Sequence, residues 1–248
     1  MDRPHSDTRL NQIATLWTVV RQAHDDPGSQ GRAARQALLE RYGGAIHKYL
    51  LGALRNPDAA EELAQDFAVK FLNGNLKGAD QARGRFRDFV KGVLFHLVAD
   101  YHHKRRRDPN PLSTDAPEPG GDCALAAERD RAFVESWRDE LLARAWAALE
   151  RHEKEAGQPY FSVLRFRADH PDLSSAEMAE RLSARLNKPI NAPAIRKTLE
   201  RSRDRFGDLL LEEIAQAIDN PSREALEEEL GDLGLLEFCR SALERWGS

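Results

Sequence analysis

Hydrophobic residues along this 248-residue chain recur every three or four positions, and almost no stretch alternates strictly between apolar and polar residues. This spacing is typical of amphipathic helices, because side chains three and four positions apart share one helix face. The pattern therefore predicts an all-α protein.

Breaks in the periodicity predict two helical domains. The first covers residues 1–107, with helix ends near residues 28–31, at Asn56-Pro57-Asp58 and at residues 73–75; Asp58 is placed to cap the helix over residues 58–72. Residues 108–127 are rich in Pro, Gly and small polar residues and predict a flexible linker. A second domain over residues 128–217 and a helical C-terminal extension over residues 218–248 follow.

The helix over residues 85–107 has the most regular pattern. One apolar stripe follows helical spacing and contains Phe86, Phe89, Val90, Val93, Leu94, Leu97, Val98 and Tyr101. Arg87, Lys91, Phe95 and His96 fall outside this stripe. A large aromatic residue on the polar side is unusual, so Phe95 either packs against a neighbouring helix or has a functional role.

A helix-turn-helix is predicted near the end of the second domain. Ser174 and Glu177 have the spacing of a capping box, residues 187–191 interrupt the periodicity, and Pro193 suits the first turn of the next helix. The outer side of that second helix is basic, as a helix in a DNA major groove requires. An ordinary helical hairpin is the alternative, and the turn is longer than the usual three or four residues.

The net charge of −4 conceals basic segments. Residues 84–107 carry seven Lys and Arg against two Asp, residues 193–205 carry five against two acids, and residues 208–248 carry eleven acids against three Arg. Such local patches can bind phosphates, although a solvated helix face is the alternative. No apolar stretch is long enough to span a bilayer and residues 1–12 lack a signal-peptide core, so we expect a cytoplasmic protein.

Several segments resemble those of bacterial sigma factors. DAAEELAQDFAVKFL (58–72) is similar to the region 2.2 signature, GRFRDF (84–89) to the start of the next family helix, and KRRR (104–107) to its basic end. Their order resembles extracytoplasmic-function sigma factors over about residues 33–210. TLWTVV (15–20), AARQAL (33–38) and LLLEEIAQ (209–216) are similar to a sigma-like subgroup abundant in planctomycetes.

The resemblance implies a transcription initiation factor that binds core RNA polymerase at its β′ clamp helices and β flap. In the first domain it implies polymerase-binding residues and residues that bind the −10 promoter element. The polymerase set is Asp58, Glu61, Glu62, Gln65 and Asp66. The −10 set is Arg85, Arg87, Lys91, Phe95, His96, His103, Lys104, Arg105, Arg106 and Arg107.

The second domain is implied to bind the −35 element as duplex DNA. Its expected contacts are Ser175, Ala194, Arg196, Lys197, Thr198, Arg201 and Arg205. We expect Arg196→Ala to weaken −35 selectivity and Arg106→Ala to weaken DNA binding uniformly. An anti-sigma factor or another regulatory protein is a further implied partner.

Two features depart from the family or leave its function open. His96 fits the subgroup, whereas Phe95 stands where the subgroup has a basic residue, and we hypothesise that it changes the −10 preference by stacking on a base. The acidic extension is interpreted either as a solubilising helix pair or as a cover over a basic DNA-binding face.

Two other classes of function are alternatives. A helix-turn-helix regulator could bind DNA without joining the polymerase, which would leave the 58–72 signature unused. An enzyme is disfavoured because the His24-Asp25 dipeptide lies in a turn-like stretch and no Gly-rich phosphate loop accompanies it. Cys123 and Cys239 have no metal-ligand spacing, so we expect neither metal nor cofactor.

Overall fold

The computed structural model describes residues 15–22, 29–76, 85–107, 123–186 and 189–246. The elements in these ranges confirm the predicted all-α class. The described residues form ten α-helices and no strand. The helices are α1 (Leu16–Gln22), α2 (Ser29–Leu54), α3 (Pro57–Leu72), α4 (Phe86–Arg107), α5 (Cys123–Ala156), α6 (Tyr160–Asp169), α7 (Ser175–Leu186), α8 (Ala192–Ala215), α9 (Arg223–Asp232) and α10 (Leu236–Arg245).

The chain forms two compact units whose bounds differ from those of the predicted domains. Unit 1 contains the described residues up to Glu140 together with Ala215–Ser222. Unit 2 contains Leu141–Ile214 and the described residues from Arg223 onward. Helix α5 begins at Cys123, so residues 123–127 are helical rather than part of the predicted linker; residues 108–122 lie outside the described part of the chain.

The core of unit 1 is built around large aromatic side chains. Tyr42 of α2 stacks on Trp137 of α5 with ring centroids 4.6 Å apart, and Phe86 of α4 lies 5.8 Å from Trp137. Trp17 of α1 packs against Phe86 at 5.1 Å, and all four residues are at most 2% exposed. Burial of each such side chain contributes on the order of 2–3 kcal/mol, so the first half of α5 is an integral part of unit 1.

The cap of α3 corrects one prediction. Asn56, rather than Asp58, is the N-cap: its Oδ1 accepts the Ala59 N–H at 3.1 Å, and Pro57 occupies the first helical position. Asp58 lies in the first turn, where its charge still favours the helix dipole. The helix ends at Asn73, as predicted, and Gly74 follows with φ +69°, a conformation that glycine adopts without steric cost.

The segment 215–222 completes unit 1 by capping two of its helices. The Trp17 N–H at the start of α1 donates to the Gln216 carbonyl at 3.3 Å, and the Phe86 N–H at the start of α4 donates to the Ala217 carbonyl at 2.8 Å. Thr15 Oγ1 donates to the Ile218 carbonyl at 2.7 Å, and an isolated β-bridge joins Arg85 to Ile218. These bonds satisfy helix-terminal amides that would otherwise lack partners.

The C-terminal helices belong to the hydrophobic core of unit 2, which neither interpretation of the acidic extension anticipated. Seven apolar residues of 223–246 are buried: Leu226, Leu230, Leu233, Leu235, Cys239, Ala242 and Leu243. Arg245 of α10 donates to Asp208 of α8 at 2.6 Å, and this hydrogen bond raises the arginine's pKa. Burial, followed by the nearby Asp208 charge, raises the pKa of the Cys239 thiol to about 11.

None of the described helices is both long enough and apolar enough to span a lipid bilayer.

Candidate polymerase and nucleic-acid interfaces

One side of α3, named here the α3 face, carries five polar residues and one valine: Asp58, Glu61, Glu62, Gln65, Asp66 and Val69. All of them are exposed except Asp66, which is half-buried. The buried side of the helix contains Phe67 and Phe71, and Leu63 is half-buried. Gln65 Nε2 donates to Glu61 Oε1 at 2.8 Å, and Asp66 pairs with Lys70 at 2.6 Å.

An apolar side chain on the α3 face was not predicted from the sequence. Val69 is 58% exposed and lies one helical turn after Gln65. On α2, Leu51 is 39% exposed and lies one turn after His47, whose Nε2 is 3.4 Å from Glu61 Oε2. The signal in the sequence was a valine that continues the spacing of the polar stripe rather than that of the apolar one.

In the first half of α4, the residues expected to contact the −10 element instead contact other parts of the protein. Arg87 is only 4% exposed, although the pattern placed it on the polar side. The Arg85 guanidinium is 3.5 Å from Asp88, and Lys91 pairs with Asp130 of α5 at 2.8 Å. Since α5 packs alongside α4, polar side chains near the α4–α5 contact meet protein partners instead of solvent.

Phe95 packs against neighbouring helices. Its ring stacks on Tyr49 of α2 at 5.9 Å and meets the edge of Phe133 of α5 at 6.4 Å, with the Lys91 ammonium 5.6 Å from its centroid. Burial raises the pKa of Tyr49 to about 12. These contacts support the interpretation that Phe95 packs against neighbouring helices, and the residue is half-buried.

The second half of α4 carries the exposed members of the −10 set. His96, His103, Lys104 and Arg105 are exposed, and Arg105 Nη1 donates to the Tyr101 hydroxyl at 3.2 Å. Arg106 and Arg107 form the end of the helix, and their side chains lie outside the described part of the structure. A basic, aromatic-containing surface is thus confined to the C-terminal turns of α4.

Helices α6, α7 and α8 of unit 2 pack together around a shared hydrophobic core. That core contains Val163, Phe166, Met178, Ala179, Leu182, Ile195 and Leu199. The capping box at the start of α7 is present: the Ser174 N–H donates to Glu177 Oε2 at 2.8 Å, and the Glu177 N–H donates to Ser174 Oγ at 3.3 Å. Asn191 caps α8 by accepting the Ala194 N–H at 2.9 Å.

The lengthened turn between α7 and α8 is tied back to α7 by Ser183. The Ile190 N–H donates to Ser183 Oγ at 2.9 Å, and Ser183 Oγ donates to the Ile190 carbonyl at 3.2 Å. Ile190 also packs against the core shared by α6, α7 and α8. These contacts explain how a turn longer than usual still holds two helices together; residues 187–188 lie outside the description.

The outer face of α8 presents most of the expected −35 residues to solvent. Ala194, Arg196, Lys197 and Arg201 are exposed, and the C-terminal helices leave them uncovered. Arg205 differs, because its guanidinium lies 3.6 Å from Glu212 and its Nε is enclosed without a hydrogen-bond partner. The exposed basic part of α8 therefore ends before Arg205.

An open cleft, named here the arginine cleft, lies between the α6–α7 turn and one edge of α8. Its lining residues are Arg167, Pro171, Ser175, Arg196, Leu199 and Arg203. Ser175 and Arg196 were expected −35 contacts, whereas Arg167 and Arg203 were not. The sequence could not reveal this grouping, since Arg167 lies on α6 and approaches α8 only through the fold.

Within the described part of the chain, no cluster of three or more His, Cys, Asp or Glu residues has the arrangement of a metal site. The His24-Asp25 dipeptide lies outside that part.

Comparison of the chain with protein-family models, with curated proteins and with solved structures gives no significant match.

Proposed function

We propose that this chain is a sigma-type transcription initiation factor, which binds core RNA polymerase and directs it to promoter DNA. The observation that carries the proposal is the exposed basic edge of α8 on a capped, separately packed helix pair, together with the exposed acidic face of α3.

The α7–α8 pair has the features that duplex reading requires. A B-DNA major groove accepts one helix, and arginine or lysine side chains on its outer side can pair with guanine edges or phosphates. Arg196, Lys197 and Arg201 are exposed on α8, whereas Ile195 and Leu199 anchor the opposite side. We therefore assign recognition of a −35-type duplex element to α8.

The α3 face is suited to a protein partner rather than to DNA. Glu62 and Asp58 are exposed carboxylates that would repel phosphates, and Val69 supplies an apolar contact among them. Acidic side chains steer association with a basic surface, and an exposed apolar residue beside them can be buried by the partner. We assign this face to the clamp helices of the polymerase β′ subunit.

The C-terminal turns of α4 are assigned to the −10 element. Lys104 and Arg105 supply exposed positive charge, and His96 and His103 supply exposed rings. Melted promoter DNA exposes both phosphates and base faces, and single-strand binding combines charge with stacking. Arg85, Arg87 and Lys91 are left out of this assignment because the fold already engages them.

A pull-down of core RNA polymerase with the full chain tests the proposal. Glu62→Lys is the informative variant, because Glu62 is exposed, whereas Asp66 already pairs with Lys70. The control is Glu135→Lys, which makes the same charge change on exposed α5 in unit 1. We expect Glu62→Lys to lose polymerase and Glu135→Lys to retain it; absence of binding by the unaltered chain would refute the proposal.

Run-off transcription on a randomised promoter library separates this function from that of a helix-turn-helix regulator acting alone. A sigma-type factor makes core enzyme initiate at enriched sequences with paired elements. A regulator that does not join the polymerase binds duplex DNA through α8 but supports no initiation, and the α3 face then has no effect on activity.

A further inference from the structure

The arginine cleft gathers positive charge from two separate elements. Arg196 and Arg203 lie two turns apart on the same edge of α8, with Leu199 between them. Both side chains are exposed, and neither has an ion-pair partner among the residues that the structure describes. The acids nearest to them along the helix are the exposed Glu200 and Asp204, and neither is part of the cleft lining. Asp204 lies 3.8 Å from Arg245 of α10.

The opposite wall of the cleft is fixed by hydrogen bonds. Arg167 Nη1 donates to the Leu173 carbonyl at 2.6 Å and to the Pro171 carbonyl at 3.1 Å, so it holds the α6–α7 turn in place. Ser175, the first residue of α7, lines the same cleft. The N-terminal end of α7, which carries the positive end of the helix dipole and also the Glu177 carboxylate, therefore borders the cleft.

The cationic residues of α8 differ in their relation to the cleft. Lys197 and Arg201 are exposed and are not part of its lining. Arg196 and Arg203 border a hollow that can take a compact group. A tetrahedral anion fits such a place, because guanidinium groups form paired hydrogen bonds with phosphate oxygens.

We propose that the arginine cleft binds one phosphate group of the duplex DNA backbone, with Arg203 and Arg196 as its cationic partners. The proposal rests on the duplex-binding function assigned to α8. Arg196 is thereby assigned to the phosphate backbone, whereas the sequence predicts that it reads bases. Lys197 and Arg201 are assigned to base edges. Arg167 acts as a positioning residue for the wall opposite α8.

Salt dependence of binding by the full chain to short random-sequence duplexes tests the proposal. A protein that neutralises phosphates releases counterions, so each lost contact lowers the slope of log affinity against log salt concentration by about 0.9. We expect Arg203→Ala and Arg196→Ala each to lower the slope by about this amount, and Arg203→Lys to retain most of it. The control is Arg151→Ala, an exposed arginine of unit 2 outside the cleft lining, which should leave the slope unchanged.

A second measurement separates backbone binding from base reading. Selection from a randomised duplex library should give the same preferred sequence for Arg203→Ala, Arg196→Ala and the unaltered chain. An Arg203→Ala slope equal to that of Arg151→Ala, or a changed preference with Arg196→Ala, would overturn the cleft assignment while leaving duplex binding intact. If the unaltered chain binds no duplex, the function assigned to α8 fails, and the cleft assignment fails with it.

Discussion

Helices α4 and α8 have similar patterns of basic residues, yet the basic side chains of the two helices differ in solvent exposure and in their ion pairs. On α4, Lys91 pairs with an acid of α5 and Arg87 is buried, so exposed charge is confined to the last turns. On α8, Arg196, Lys197 and Arg201 are exposed along the first half of the helix. A count of charges along each helix would have ranked α4 as the more available DNA surface.

The difference comes from what packs beside each helix. Helix α5 lies along α4 and supplies Asp130 and Phe133, which take up Lys91 and Phe95. Helix α10 approaches α8 near Gly207 and Asp208, beyond the exposed arginines. Availability of a charged side chain is therefore decided by neighbours that are distant in sequence, and a helix-by-helix charge pattern contains no information about them.

Removal of the anchor of α5 gives the largest expected effect. Trp137→Ala should destabilise the protein by about 3–5 kcal/mol, because it empties a fully buried site between Tyr42 and Phe86. Chemical denaturation would measure the loss. The control Glu135→Ala, exposed on the same helix, should change stability by less than about 0.5 kcal/mol. A small loss for Trp137→Ala would mean that α5 can leave α4, which would free Lys91 for DNA.

Phe95→Ala should have the next largest effect. We expect a loss of about 2 kcal/mol, below the range for fully buried phenylalanines, because the ring contacts Tyr49 and Phe133 but keeps partial exposure. His96→Ala, one residue further on and exposed, should leave stability unchanged. Denaturation is paired with a promoter-melting assay: unchanged stability with an altered −10 preference would favour base stacking over packing.

Removal of the N-cap of α7 should reduce the free energy of unfolding by less than the two substitutions above. Ser174→Ala should cost about 1 kcal/mol, whereas Ser241→Ala, an exposed serine of α10, should cost almost nothing.

The same cap has a pH signature. Hydrogen bonds from Ser174 hold the pKa of Glu177 below its usual value. Because the folded pKa is the lower one, the cap's charge-dependent stabilisation is present above the unfolded pKa and disappears as the pH falls through the lowered one. Thermal unfolding across acid pH checks this: the difference between the unaltered chain and Glu177→Gln should shrink toward low pH.

A pair of lysines on α4 gives the smallest and most direct comparison. Lys104→Ala should weaken binding to single-stranded DNA about fivefold at about 0.1 M salt, as loss of one phosphate contact predicts. Lys91→Ala should weaken it less than about twofold, because Asp130 already neutralises that ammonium. Fluorescence anisotropy would measure both. Equal effects would show that the Lys91–Asp130 pair opens when DNA binds.

Much of the local structure followed from the sequence. Helical spacing located α2, α3 and α4 closely, and the Ser174–Glu177 capping box is formed as expected. These features depend on interactions within a few residues, which a sequence pattern records directly. Even so, the cap of α3 moved from Asp58 to Asn56, because two candidate caps stood two residues apart.

The remaining features depend on contacts between distant residues. The proline-rich composition indicated a linker up to residue 127, but helix α5 starts at Cys123 and its first half joins unit 1. The role of Ser183 in closing the long turn depends on where Ile190 packs. The grouping of Arg167 with Arg203 depends on two helices meeting. None of these leaves a periodic signal in a single chain.

The caps on α1 and α4 also set an order of events during synthesis. Gln216 and Ala217 are made more than a hundred residues after the helices whose first-turn amides they accept. N-terminal regions of growing chains usually fold first, but here unit 1 is complete only after residues 215–222 have been made. A nascent chain stalled short of Ala217 on the ribosome should leave the first turn of α4 frayed, however much of unit 1 has already emerged.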